Sequence, residues 1–196
     1  MRNILGKWIY LCAGYPRAKD FCAQIALQDK YDLPRMGENR GEDACDVMAQ
    51  LYSRAARKGV SIKHITGSFM PCAYERDGIV KSLEECIRKK LSIDVIVTDR
   101  EYEDNNIEFV EKMRSYSLSN PELCTIRNAY DADLPHMIIL GDLQTYRIEN
   151  NDATASANFD FNDPEKSMFL GKEFDYIISA IKTGVTPKMS YAPLSI

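Results

Sequence analysis

Apolar positions along this chain follow two spacings, and the two alternate. Apolar residues that recur every three or four positions predict helices, and short continuous apolar runs predict strands. The helical segments are 43–58, 78–91 and 105–117, and the strand-like segments are 60–66, 92–99 and 123–127. Strands that alternate with helices at these intervals are typical of βαβ crossovers and a parallel sheet. The central part of the chain therefore predicts an α/β protein.

The pattern changes in the last third of the chain. Three short strand-like segments, 135–141, 144–149 and 155–159, are separated by turn-length gaps, which predicts a meander or hairpins at the end of the sheet. An amphipathic helix is predicted over 164–182. We therefore expect a three-layer α/β sandwich with a mixed, mainly parallel sheet.

Several helix ends carry their own sequence signals. Asp43 is a candidate N-cap for the first helix of the main domain, and Gly59 is placed to end that helix. Asp163 is expected to cap the closing helix, with Pro164 at the favoured first helical position. These residues fix the predicted bounds of two helices.

The chain's 196 residues are near the usual size of one domain. The segment 31–43 is rich in Gly, Pro and charge, and it reads as a boundary loop. We expect an N-terminal appendage over 1–40 with a strand at 8–13 and a helix after it, a main domain over 41–183, and a weakly patterned tail over 184–196.

Composition narrows the classes of protein. The chain has six cysteines without a C-x-x-C pair and only two histidines, so we expect reduced cysteines, no metal and no cofactor. No apolar run is long enough to cross a membrane, and the N-terminus does not resemble a signal peptide. We expect a soluble cytoplasmic protein that does not associate with membranes.

The charge of the chain argues against nucleic acid as the main partner without excluding it. The formal net charge is −4, which provides no general basic surface. Arg54, Arg57, Lys58 and Lys63 could form a local basic patch, but a solvated helix end favoured by the helix dipole explains them as well.

Three segments together resemble one half of a phospholipase D-like protein. "RKKLSIDVIVTDREYEDN" (88–105) is similar to the second strand of that family, and "LPHMIILGD" (134–142) is similar to the strand that carries its catalytic histidine. "ASANFDFNDPEKSMFLGKEFDYI" (155–177) is similar to the family's Gly-Ser-x-Asn strand and the helix that follows it. The resemblance covers roughly 42–182 and implies a phospholipase D-like fold.

The resemblance also implies a chemistry. In the family a histidine attacks a phosphodiester, a lysine neutralises the phosphate and a second histidine protonates the leaving group. His136 keeps the histidine position, but Ile138 stands at the lysine position and Asp142 arrives one residue early. Ser156 and Asn158 keep two polar positions of the later strand. The resemblance therefore implies a degenerate motif, with His136 as the candidate nucleophile and the other three polar residues as candidate ligand-binding residues.

Two further residues are candidates because of their spacing. Arg147 and Glu149 lie on the strand predicted to neighbour that of His136, and the two-residue period of a strand puts them on one face. Arg147 could replace the missing lysine in binding phosphate, and Glu149 could orient the imidazole of His136. If all the side chains share a face, they form one polar cluster with Ser156 and Asn158.

Structural explanations stand beside these functional ones. His136 could be an edge residue, Arg147 and Glu149 a surface ion pair, and Ser156 and Asn158 partners of backbone groups. His64, which faces away from Lys63 in its strand, is expected to be solvated or at the edge of the core rather than catalytic. No other catalytic motif is found.

Two functions follow from this sequence. The favoured one is a non-catalytic module that binds a phosphate-bearing ligand or a protein partner. The alternative is a homodimeric phosphodiesterase or nuclease in which two copies of His136 meet. The segment "WIYLCAGYP" (8–16) is also weakly similar to nucleoside deoxyribosyltransferase-type proteins, and reuse as an accessory protein in a bacterial or phage conflict system is a further analogy.

Overall fold

The computed structural model describes residues 26, 28–31, 38–39, 42–130, 132–151 and 156–189. The predicted strand at 8–13 and the end of the tail lie outside these residues. The helices are α1 (Glu42–Lys58), α2 (Pro71–Tyr74), α3 (Asp77–Arg88), α4 (Glu108–Ser119) and α5 (Pro164–Lys182), and a 3₁₀ turn spans Arg100–Tyr102. The strands are β1 (Glu38–Asn39), β2 (Ile62–Thr66), β3 (Ile93–Val97), β4 (Cys124–Asn128), β5 (Met137–Leu140), β6 (Tyr146–Asn151) and β7 (Ser156–Asp160).

Among the described residues, the strands form one seven-stranded mixed sheet in the order β1-β7-β6-β5-β2-β3-β4. Only β2 with β3 and β3 with β4 pair in parallel, whereas the other four pairings are antiparallel. The expectation of a mixed sheet is confirmed, but the expectation of a mainly parallel sheet is wrong. Helices connect β2, β3 and β4, whereas β5 returns to β6 through a turn at 141–145, and a strand that returns through a turn pairs antiparallel.

Helices cover both faces of this sheet, so the expected three-layer α/β sandwich is confirmed. On one face the core joins α1, α3 and α4 to buried strand residues that include Ile62, Val95, Ile138 and Phe159. On the other face α5 packs on residues that include Ile65, Ile96, Met137 and Ile148. We call these the α1 face and the α5 face. In the part of the chain described, no helix combines the length and apolar character needed to cross a membrane.

The ends of the helices follow the sequence signals with two exceptions. Gly59 adopts a left-handed φ of +70° after α1, and the Asp163 carboxylate accepts a hydrogen bond from the Lys166 N–H at the start of α5. Asp43 lies inside α1, which begins at Glu42, so its predicted role as N-cap is wrong. Helix α3 ends at Arg88, short of the predicted residue 91, because Lys90 takes a φ of +56°.

A buried ionic network joins the N-terminal segment to this core. Arg54 of α1 is fully buried and donates to the Asp29 carboxylate at 2.7 Å and to the Asp142 carboxylate at 3.0 Å. Asp29 also accepts from Arg57 at 2.6 Å. Arg54 is therefore not part of a solvated basic patch, and the described residues before Glu42 contact the core both here and through the pairing of β1 with β7.

Candidate functional site

Strand order and register bring the predicted histidine, arginine and glutamate together. β5 pairs with β6, with Ile138 opposite Arg147, and the Glu149 N–H donates to the His136 carbonyl oxygen at 2.9 Å. His136, Arg147 and Glu149 lie at positions of the same two-residue period as Ile138, which packs on the α1 face. The prediction that Arg147 and Glu149 share a face beside His136 is confirmed.

The imidazole of His136 is oriented by a buried carboxylate. Its Nδ1 lies 3.1 Å from Glu149 Oε2, and the side chain of His136 is 25% exposed whereas that of Glu149 is 4% exposed. With Nδ1–H donating to the carboxylate, the imidazole is in the tautomer that leaves the Nε2 lone pair as an acceptor or nucleophile. We call His136 and Glu149 the dyad.

The other carboxylate oxygen of Glu149 binds a buried cation. Arg147 Nη2 donates to Glu149 Oε1 at 2.9 Å, and only 1% of Arg147 is exposed. Arg147 Nε is buried and has no hydrogen-bond partner among the described residues. A buried donor without a partner is uncommon in folded proteins and is often found where a ligand, ion or water binds.

Charge determines the ionisation state of Glu149. Burial on its own would raise the pKa of Glu149, but the charge of Arg147 and the hydrogen bond from His136 lower that pKa to about 2. Glu149 is therefore a carboxylate at every pH where the protein is expected to work. The dyad keeps its acceptor for Nδ1–H throughout that range.

The other histidine of the chain lies beneath this site, which the sequence analysis did not anticipate. His64 of β2 is opposite Ile138 in the sheet and only 2% exposed, so the expectation of a solvated role is wrong. Its Nδ1 lies 2.9 Å from the Tyr52 hydroxyl and its Nε2 lies 3.1 Å from the Tyr74 hydroxyl. Ile62, two positions before it in β2, was the sequence signal that this face is buried.

His64 is held in its neutral form. Burial is the main cause that lowers its pKa, and the charges of His136 and Arg147 lower it further, to about 3. A neutral imidazole has one donor and one acceptor, so one tyrosine hydroxyl donates to it and the other accepts from it. His64 is therefore a buried neutral imidazole held by two tyrosines rather than a second exposed imidazole.

The remaining predicted site residues lie elsewhere. Asp142 is in the β5–β6 turn at the far end of β5, where it accepts from Arg54 and from the Thr145 hydroxyl at 2.7 Å. Asn158 pairs with Ile148 and lies on the α5 face, opposite Arg147 and Glu149. The condition of a shared face therefore fails for Asn158, and Asp142, a candidate ligand-binding residue, lies away from His136. Ser156 begins β7 in register with Asn151.

The structure adds two residues beside the imidazole. Gly67 follows β2 and Asp99 follows β3, so both lie at the carboxyl ends of parallel strands. A Cβ atom added to Gly67 would lie 3.4 Å from His136 Nε2 and 3.8 Å from Asp99 Cβ. The carboxyl ends of parallel strands are a common place for ligands in α/β proteins. No group of three metal-ligating side chains is present among the residues described.

No protein-family model matches the chain, and no curated protein matches it significantly. Among solved structures the chain is similar to a phospholipase D family member, Nuc from Salmonella typhimurium. The two share 13% sequence identity with a TM-score of 0.47, and the match covers 74% of this chain and 90% of that chain. This neighbour belongs to the family that the sequence resembles.

Proposed function

We propose that this protein binds a phosphate-bearing ligand at the dyad and does not turn the ligand over. The observation that carries the proposal is the state of the two strand positions beside His136. Ile138, at the family's lysine position, is fully buried, and Arg147 opposite it is buried and already paired with Glu149. The histidine that would contact phosphate is therefore present, but neither of these two positions provides an exposed cation to neutralise the phosphate during turnover.

Binding is supported by the donor that the imidazole offers when it is protonated. Glu149 holds its Nδ1–H, and the partly exposed imidazolium then presents Nε2–H to a ligand. A histidine fixed by a carboxylate makes a directional hydrogen bond with little loss of side-chain entropy, since its rotamer is already set. Phosphate oxygens are strong acceptors and suit such a site.

The lack of turnover has a physical reason. Removing one preorganised group that stabilises charge in a transition state typically lowers the rate about 10²–10³-fold. The lysine position is apolar in this chain, and His64 is too deeply buried to protonate a leaving group in solvent. A single chain therefore has a positioned nucleophile but lacks both the lysine that neutralises the phosphate and the second histidine that protonates the leaving group.

The first experiment measures binding and turnover together. Isothermal titration calorimetry with inorganic phosphate is expected to give saturable binding to the wild type and at least about tenfold weaker binding to His136→Gln, the loss of one charge-assisted hydrogen bond. Lys81→Gln, which removes an exposed charge from α3, is the matched control and should bind as the wild type does.

The same samples are then incubated with bis(p-nitrophenyl) phosphate. No release of nitrophenol above the rate of His136→Gln is expected. Hydrolysis that His136→Gln abolishes would overturn the claim of no turnover. A folded wild type that binds neither inorganic phosphate nor a phosphate monoester would overturn the proposal altogether and leave a protein partner as the explanation of the dyad.

A homodimeric phosphodiesterase is the second candidate, and the dyad itself favours it. The tautomer set by Glu149 leaves Nε2 ready to attack phosphorus. The attack would form a phosphohistidine and break the ester P–O bond, and the leaving oxygen would take a proton from His136 of a second copy. This candidate requires a dimer, so a monomer by sedimentation velocity at the assay concentration would exclude it.

A further inference from the structure

We infer that Asp99 is part of the same ligand site and selects phosphate esters whose organic part carries a hydrogen-bond donor. This inference rests on the proposed function and makes the class of ligand more specific. The observation behind it is that His136 Nε2 and Asp99 Cβ both lie within 4 Å of one point beside Gly67.

The gap between the two side chains is defined by Gly67. One point beside this residue, the position of a Cβ, lies 3.4 Å from His136 Nε2 and 3.8 Å from Asp99 Cβ. Gly67 does not have a positive φ, so its backbone does not require glycine. Glycine at this position therefore leaves open the space that a side chain would fill between the imidazole of His136 and the Cβ of Asp99.

Only one of the two carboxylate oxygens of Asp99 accepts a hydrogen bond within the described residues. Asp99 Oδ1 accepts from the Glu101 N–H at 2.9 Å and caps the 3₁₀ turn. Within the part of the chain that is described, the other oxygen has no hydrogen-bond partner, and the side chain is partly exposed. A ligand held at His136 can therefore reach an acceptor on the opposite side of the gap.

The chemistry of a carboxylate determines what that ligand must be. An ionised carboxylate only accepts hydrogen bonds and repels a second anion. A bare phosphate would meet this repulsion without compensation. A phosphate ester with a hydroxyl or an ammonium group two carbons from the phosphate would bind His136 with its phosphate and donate to Asp99 with its other end.

Four probes separate these contributions. Inorganic phosphate and methyl phosphate offer no donor on an organic part, whereas glycerol 3-phosphate offers hydroxyls and phosphoethanolamine offers an ammonium group. Titration calorimetry of the wild type is expected to show about tenfold tighter binding of at least one of the last two probes than of methyl phosphate. Which of the two binds more tightly identifies the donor.

Three variants test the assignment. Asp99→Asn keeps the cap on the Glu101 N–H and removes the charge, so methyl phosphate should bind more tightly and the preference for the donor-bearing probe should fall at least about threefold. Asp104→Asn removes a charge from an exposed residue nearby and should change neither value. Gly67→Ala should weaken every probe because its methyl group fills the gap, and Gly171→Ala, whose Cβ would meet nothing, is its control.

The outcomes separate the two proposals. If no probe binds the wild type, the proposed function fails and the inference about Asp99 fails with it. If the probes bind and depend on His136, but Asp99→Asn keeps the wild-type preference, the role of Asp99 is overturned and the phosphate site stands. Equal effects of Asp99→Asn and Asp104→Asn would likewise reduce Asp99 to a general charge effect and overturn its assignment.

Discussion

At the scale of single residues, the site depends on one buried carboxylate that serves two partners. Glu149 accepts from His136 with one oxygen and from Arg147 with the other. Removing it would leave the buried Arg147 charge without its counter-ion and the imidazole without its orienting acceptor. Burying an unpaired charge is one of the largest penalties a substitution can cause.

Glu149→Gln is therefore expected to lower the free energy of unfolding by about 3–5 kcal/mol, as measured by urea unfolding at pH 7. Glu85→Gln, which breaks the exposed pair with Arg88, is the control and should leave the urea midpoint unchanged. The double variant Arg147→Met with Glu149→Leu removes both charges and should recover most of the lost stability. A double variant no more stable than Glu149→Gln would contradict this account.

The residues of the site were predictable only where the two-residue period of a strand and closeness in sequence determine which side chains meet. Arg147 and Glu149 are two residues apart in one strand, so their shared face follows from the pleat. His64, Gly67 and Asp99 join the site because β2 lies between β5 and β3, and the spacing of apolar residues contains nothing about that order. Asp142 was misplaced because the length of β5 separates it from His136.

At the scale of elements, the order of helices and strands and the direction of strands consecutive in a βαβ unit or hairpin followed from the sequence, whereas the pairing of β5 with β2 did not. The closing helix was predicted with its observed bounds, Pro164–Lys182, because a cap, a proline and a clear apolar stripe agree there. The antiparallel pairing of β5 with β2 depends on contacts between segments about 75 residues apart in sequence. No local pattern specifies such a pairing.

The Arg54 side chain of α1 contacts three other segments of the chain. Arg54 of α1 binds Asp29 of the N-terminal segment, Asp142 of the β5–β6 turn and the Phe161 carbonyl after β7. Asp29 and Asp142 each have a second cation, Arg57 and Lys58, but both of these side chains are partly exposed. This network explains why a fully buried arginine is kept in a helix that otherwise packs apolar residues on the sheet.

Arg54→Met should therefore lower the free energy of unfolding by about 3–5 kcal/mol, since it leaves two buried carboxylates without their main cation. Arg57→Met is the matched control because Arg57 also binds Asp29 but is 48% exposed, and it should lower stability by under about 1 kcal/mol. Urea unfolding of both variants makes the comparison. Equal losses would mean that burial of Arg54 contributes nothing.

At the scale of the whole molecule, the buried histidine links folding to pH. His64 has a pKa of about 3 in the folded protein against an ordinary value of 6.5. Below pH 6.5 the unfolded chain therefore binds a proton that the folded protein excludes, and stability falls as the pH falls. Glu149 adds its own loss only below about pH 4.5, where its unfolded form begins to take up a proton.

Between pH 6.5 and 4.5 the decline should come mainly from His64, and it should reach about 2 kcal/mol at pH 5. Urea midpoints of the wild type and of His64→Gln, measured at intervals across this range, test the prediction. The variant is expected to be less stable at pH 7 and to show a shallower decline toward pH 5. Parallel declines would assign the acid sensitivity to other groups.

The two histidines of the chain also give this protein a built-in spectroscopic probe. The chain has two histidines, so the imidazole signals of the intact protein contain two spin systems, one from a buried side chain and one from a partly exposed side chain. The His64 resonances should show no protonation of this residue from pH 8 to 5, while those of His136 should respond to added ligand. A selectively labelled sample would therefore locate binding at the dyad without assigning the rest of the spectrum.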